Sequence, residues 1–338
     1  MLGLLLLVFA PALFAQTTAA PGATRTRVHV VPFTFAADPQ PYFQTKEWQT
    51  ELNRRMDEVR QAFRDQSAGR VDVVFEWHPQ VVINQPMVAG DVNTGIRWGQ
   101  EAIAKAGLSA TTDRIMLLER QVLFGQFATA RVAFFLGTPG SIFHELSHTF
   151  GVRHSGTITC QLNGKAVTWA GDVARCALDE YGDRFSPMSS AGAPLPGAVL
   201  NSFQRLMAGF LPERALQVLP YGAEATVTLA PLGARTGVQM VRVPLRDQTN
   251  LPAVRHEYFD LEYNPVANGV LMYYGRCGTC MDAPTRLLDL TPGDQDFLNG
   301  GFKTGQSYTD SSTGITITLV SQGANQATLR VQFNAAGR

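Results

Sequence analysis

Charge is scarce in this chain. Asp, Glu, Lys and Arg make up 17% of its 338 residues, below the ~25% usual for globular domains. The 28 basic and 28 acidic residues cancel, so the formal net charge is zero. Without a basic stripe the electrostatic footprint of a nucleic-acid binder is missing, and no nucleic acid is expected as a partner. Long apolar runs are equally few. Met1 to Ala15 (MLGLLLLVFAPALFA) is apolar but too short to span a bilayer as a resident helix. It ends in small residues and reads as a secretory signal peptide cleaved near Ala15 or Ala20, so residues 1–20 are taken as the signal and the start of a linker. A secreted, extracellular chain follows, or a periplasmic one behind an outer membrane, with no integral membrane contact after cleavage. Only four cysteines occur, Cys160, Cys176, Cys277 and Cys280. None precedes Cys160, which excludes lipid attachment at an N-terminal cysteine. An even count in an exported chain points to disulfides. Pairing by proximity in sequence gives Cys160–Cys176 and Cys277–Cys280, although three connectivities exist on paper. No EF-hand loop is visible, so calcium is not indicated, and Asp294 and Asp296 read as loop contacts.

Histidine is also rare, and its distribution is uneven. Three of the six histidines fall between His144 and His154, in the run SIFHELSHTFGVRH. His144-Glu145-Leu146-Ser147-His148 is an HExxH pattern. On a helix, positions i and i+4 lie on one face a turn apart. Two imidazoles so placed can hold one metal ion with Glu145 beside it. Gly151 permits a positive φ that ends the helix and turns the chain, which can bring His154 to the same ion. Three protein ligands leave an open position, the arrangement of a catalytic rather than a structural zinc site. The competing reading is an amphipathic helix carrying solvated histidines. One catalytic Zn2+ is therefore expected on His144, His148 and His154, with Glu145 as general base.

The spacing from His144 through Gly151 to His154 is that of the metzincin metallopeptidases, which add a methionine-containing turn downstream. Tyr181-Gly182-Asp183-Arg184-Phe185-Ser186-Pro187-Met188 resembles that turn as it occurs in the gametolysin-like branch. The resemblance implies that Met188 lies under the metal as a packing floor and not as a ligand. Residue 190 is Ser, so the tyrosine that some metzincins place there as an extra ligand is absent. All four cysteines follow the zinc motif, so no upstream cysteine can block the metal. The resemblance further implies an edge strand before the zinc helix, here Phe124–Ala130, that grips an extended peptide or glycoprotein substrate by main-chain hydrogen bonds.

Hydrophobic periodicity organises the rest. Strands are expected at 27–35, 71–77, 113–119, 124–130 and 131–136, and helices at 45–67 and 94–106. Phe203, Leu206, Met207 and Phe210 then describe a closing helix after an Asn201 or Ser202 cap. Beyond about Leu216 the pattern alternates, with strands at 227–229, 238–243, 258–263, 270–274, 315–320 and 327–333. The fold expected is an α+β metzincin-like catalytic domain, a twisted mixed sheet plus active-site helix, over residues 26–213. An all-β sandwich domain follows over 214–338. Tyr273 and Tyr274 are candidates for exposed aromatics that touch a polymer, although sheet packing is the commoner role of such residues. The function expected is a secreted zinc endopeptidase acting as a monomer; the alternative is an extracellular binding or adhesion protein that keeps an inert zinc site.

Overall fold

The computed structural model describes residues 23–40, 45–87, 91–119, 127–135, 139–190, 194–276, 285–294 and 296–334. The expected signal peptide and the Cys277–Cys280 pair lie outside them, as do residues 124–126 of the expected edge strand.

The first half builds one sheet with helices on both faces. In chain order it contains β1 (Thr24–Phe35), α1 (Lys46–Gln66), β2 (Val71–Trp77), β3 (Val81–Ile83), α2 (Val92–Lys105), β4 (Ile115–Leu118), β5 (Phe127–Ala128), β6 (Val132–Phe135) and α3 (Pro139–His148). The strand order is β2-β1-β4-β6-β5, with β3 also paired to β1. All neighbours are parallel except β5, which runs antiparallel to β6 at the edge. Parallel strands need both faces covered, and β1 is accordingly buried and mainly apolar from Val28 on, where its sequence reads VHVVPFTF. Val28 and Val30 pack with Leu52, Met56, Val59 and Phe63 of α1 and with Ile142, Phe143 and Leu146 of α3. Val31, Phe33 and Phe35 point the other way, onto Trp98, Ala102 and Ile103 of α2. The helix α1 starts where Thr45 accepts a hydrogen bond from the Trp48 amide and buries a stripe at 52, 56, 59 and 63.

The second half is β-rich. It contains β7 (Gly156–Leu162), β8 (Lys165–Val167), β9 (Cys176–Asp179), the short α4 (Ser202–Met207), β10 (Leu216–Val218), β11 (Ala225–Leu229), β12 (Met240–Pro244), β13 (Glu257–Asn264) and β14 (Gly269–Arg276). It ends with β15 (Arg286–Leu288), β16 (Ser307–Thr309), β17 (Ile315–Gly323) and β18 (Gln326–Phe333). An eight-stranded sheet, β10-β12-β13-β14-β15-β7-β8 with β9 on β7, faces a four-stranded sheet, β11-β18-β17-β16. Their facing side chains, among them Val227, Val243, Phe259, Met272, Ile317 and Leu329, form the largest core. The large sheet joins chain segments on both sides of residue 213: β15 pairs in parallel with β7, Leu287 against Thr157. Cys160 and Cys176 are joined by a disulfide between β7 and β9.

The expectation of exposed aromatics on β14 is corrected. Tyr273 and Tyr274 are only 2% and 4% accessible. Tyr274 stacks on Trp169 with ring centroids 4.4 Å apart, and its hydroxyl donates to Glu257 Oε1 at 2.7 Å. Tyr273 lies on the opposite face, in a small core with Phe185, Leu271 and Leu287. β14 is buried on both faces because one meets the second sheet and the other meets the turn that carries Met188.

Candidate metal centre

Two of the three histidines come from α3 and the third from the chain leaving it. Leu146 is fully buried in the first core, and that contact rolls the opposite face of α3, with His144 and His148, toward a cleft. The helix stops as the sequence implies. The Gly151 amide donates to His148 O, the Val152 amide to Ser147 O, and Gly151 takes φ +85°. The turn returns His154 to the other two: imidazole centroids lie 5.0 Å (144–148), 4.7 Å (148–154) and 5.4 Å (144–154) apart. One ring nitrogen from each lies within 4.8 Å of the others.

The orientation of the rings is fixed from behind. His144 Nδ1 lies 3.0 Å from Pro187 O, His148 Nδ1 2.8 Å from Val152 O, and His154 Nδ1 2.5 Å from Glu180 Oε1. A carbonyl oxygen only accepts, so Nδ1 carries the proton in His144 and His148. All three rings are thereby left with Nε2 free for a metal, each steadied by an outer partner. Burial pushes the His148 imidazolium down to about 3 and lowers His144 in the same direction. Both are therefore neutral at physiological pH, the form that ligates. The donor set, three convergent neutral imidazoles, fits a divalent transition metal. Glu145 is 8% accessible and lines the same cleft, and burial pushes its carboxyl up to about 7. A carboxyl poised there can take and return a proton near neutral pH.

The turn at Met188 underlies His144. Met188 is fully buried in the core that also holds Leu146, and the carbonyl of the preceding Pro187 is the one that holds His144. The Ser155 amide donates to Met188 O at 3.1 Å, joining the turn to the residue after the third ligand. Asp183 is fully buried and accepts from Ser155 Oγ at 2.6 Å, from the Phe185 amide at 3.0 Å and from Tyr273 Oη at 3.2 Å. Gly182 has no room for a side chain, since a Cβ there would strike Thr157 on β7. The Tyr181-Gly182-Asp183 run is thus a fitted joint against the second half of the chain.

One site residue lay outside the sequence reading: Glu180, which holds His154. Its place just before the Tyr181–Met188 run was the available signal. Tyr181, read only as the head of that run, lies on the His154 ring with centroids 4.1 Å apart. The cleft measures about 870 Å³ and is bounded by Phe127, Ala128, Arg131, Arg114 and Tyr181 around the three histidines. Arg114 donates to Thr149 O and lies over the Phe150 ring at 4.0 Å. β5, the antiparallel edge strand, borders the same cleft. Asp294 and Asp296 make loop contacts: Asp294 accepts from the Asp296 amide and Asn299 Nδ2, and Asp296 from the Leu298 amide. No helix among the described residues is long and apolar enough to cross a membrane.

No family model matches the chain, and no curated protein does. Among the solved structures it is similar to is one described as "Structure of a chaperone-substrate complex", with 11% identity and a TM-score of 0.28. The similarity covers 57% of this chain and 36% of that one, so the chain spans about a third of that neighbour's length. A likeness of that size carries no argument about fold or function.

Proposed function

We propose that the chain is a zinc-dependent endopeptidase of metzincin type that cleaves extended polypeptides, acting in an extracellular or periplasmic compartment. One observation carries the reading: every Nδ1 of His144, His148 and His154 is engaged from behind, leaving three Nε2 atoms convergent beside a buried Glu145. Zinc bound there would supply Lewis acidity and activate water. His144, His148 and His154 would hold it, kept in one tautomer by Pro187 O, Val152 O and Glu180. Glu145 takes a proton on its carboxylate as the nucleophile forms and returns it to the leaving amine. Burial of the carboxyl keeps bulk water from competing for that proton. The edge strand β5 runs along the cleft, a position that suits a substrate backbone laid out as one more strand. The Cys160–Cys176 disulfide fits an oxidising compartment.

The test is zinc content and casein cleavage, with and without chelator, beside Glu145→Gln. We expect chelator-sensitive turnover and zinc retained at the three histidines in the variant, with turnover down at least a hundredfold, the lower end of general-base contributions. Undiminished cleavage by Glu145→Gln would remove the mechanism. Zinc retained without cleavage by the unaltered protein would favour a binding protein with an inert site.

A further inference from the structure

Two of the three remaining histidines also meet. His29 stands in β1 directly opposite Glu76 of β2 in the parallel register, and His78 follows the end of β2, its amide donating to Val30 O. His29 Nδ1 lies 2.9 Å from His78 Nε2 and 3.9 Å from Glu76 Oε2. One ligand atom from each of the three residues lies within 4.8 Å of the others. In a tetrahedral zinc site with bonds of ~2.0–2.1 Å, neighbouring ligand atoms stand about 3.3 Å apart. The observed separations straddle that value, so small side-chain rotations suffice.

The location separates this cluster from the α3 site. Val28 and Val30 face α1 and α3, whereas Val31 and Phe33 face α2. Side chains alternate along a strand, so His29 belongs to the α2 face, on the side of the sheet away from α3. His29 is 12% accessible and Glu76 48%, so the cluster is shielded from below and open at one side. A competitor is present: Arg27 Nε lies 3.2 Å from Glu76 Oε2, but both side chains are largely exposed and such a pair is weak.

We propose that His29, Glu76 and His78 form a second divalent transition-metal site, suited to Zn2+, that fastens the edge strand β2 to β1. Two imidazoles and a carboxylate are ligands that zinc, nickel and copper accept, whereas calcium and magnesium prefer all-oxygen sets. Its three protein ligands leave a fourth position for water, and it lies across the sheet from the cleft, apart from the α3 site.

The experiment is metal titration of the full chain, stripped with chelator, using Zn2+ alone and counting bound ions by mass spectrometry. Two zinc ions per chain are expected for the unaltered protein and one for His29→Asn/His78→Gln. His148→Ala should lose the α3 zinc and keep the second, so failure at one site is distinguishable from failure at the other. Casein cleavage should survive in His29→Asn/His78→Gln. If that double variant does not fold, Glu76→Gln, altering the most exposed ligand, should weaken the second zinc at least tenfold while circular dichroism stays unchanged. Equal zinc stoichiometry in the unaltered protein and the folded double variant would overturn the proposal, as would equal second-site affinity in Glu76→Gln.

Discussion

Glu180 allows the outer support of the metal centre to be measured. His144 and His148 are steadied by backbone carbonyls, which substitution leaves in place. His154 is steadied by a side chain, Glu180 Oε1 at 2.5 Å. Outer partners of metal-bound histidines typically contribute ~10–100-fold in affinity. Glu180 is 60% accessible, so solvent competes for its charge and the lower end applies. Glu180→Ala should loosen zinc about tenfold, or ~1.4 kcal/mol. Glu180→Gln keeps an acceptor for the Nδ1 proton but lacks the charge, and should fall between the two, near threefold on the order expected of a neutral hydrogen bond. The assay is a zinc competition titration against a chromophoric chelator. Cleavage at saturating zinc should change far less than affinity, because Glu180 acts through His154. A Glu180→Ala protein that holds zinc within twofold of the unaltered chain would refute the idea that the ring is held from behind.

Two further outcomes concern stability. Opening the disulfide by Cys160→Ser/Cys176→Ser frees a loop of sequence separation 16 and should cost about 3 kcal/mol on the chain-entropy account, read from denaturant midpoints; no change would mean that strand pairing alone holds β7 to β9. The buried carboxyls give a pH signature. Burial pushes Asp183 up to about 6 and Glu262 up to about 7. A carboxyl raised on folding stabilises fully below its unfolded value and loses that contribution as pH rises through the folded one. Stability should therefore fall between about pH 4 and 7 on their account. Asp72 acts oppositely, held low by the Arg60 guanidinium, and loses its contribution only on acidification. Glu262→Gln should flatten the fall in melting temperature between about pH 4 and 7, and an unchanged slope would exclude Glu262 as its source.

Local patterns were legible where one face of an element is apolar. The stripe Leu52, Met56, Val59 and Phe63 marks α1, and the capping residue Asn201 with Gln204 marks α4. The histidines and Glu145 were readable because metal ligation demands fixed spacing, and the positive φ of Gly151 follows from the same motif. What spacing could not reveal is which strands neighbour each other. β7, β8 and β9 pass through a Gly- and Thr-rich stretch with weak alternation; β7 joins β15, more than a hundred residues later, and β8 and β9 pair with β7. Tyr273 misled for a related reason: a strand buried on both faces has no polar side to mark its exposure. Glu180 and the pairing of His29 with His78 depend on tertiary approach and leave no periodic trace.

His144 and His148 belong to a helix seated on the first core, whereas His154 lies two residues before β7, a strand of the second. A cation on these three rings is consequently a stitch across the seam between the two cores, and its binding energy is shared by both. Each core would then feel the loss of a bound ion, so on the proposed function a chelator should act as a mild denaturant as well as an inhibitor. The same seam makes the ion a gauge of assembly: only a chain whose two halves have met can hold it.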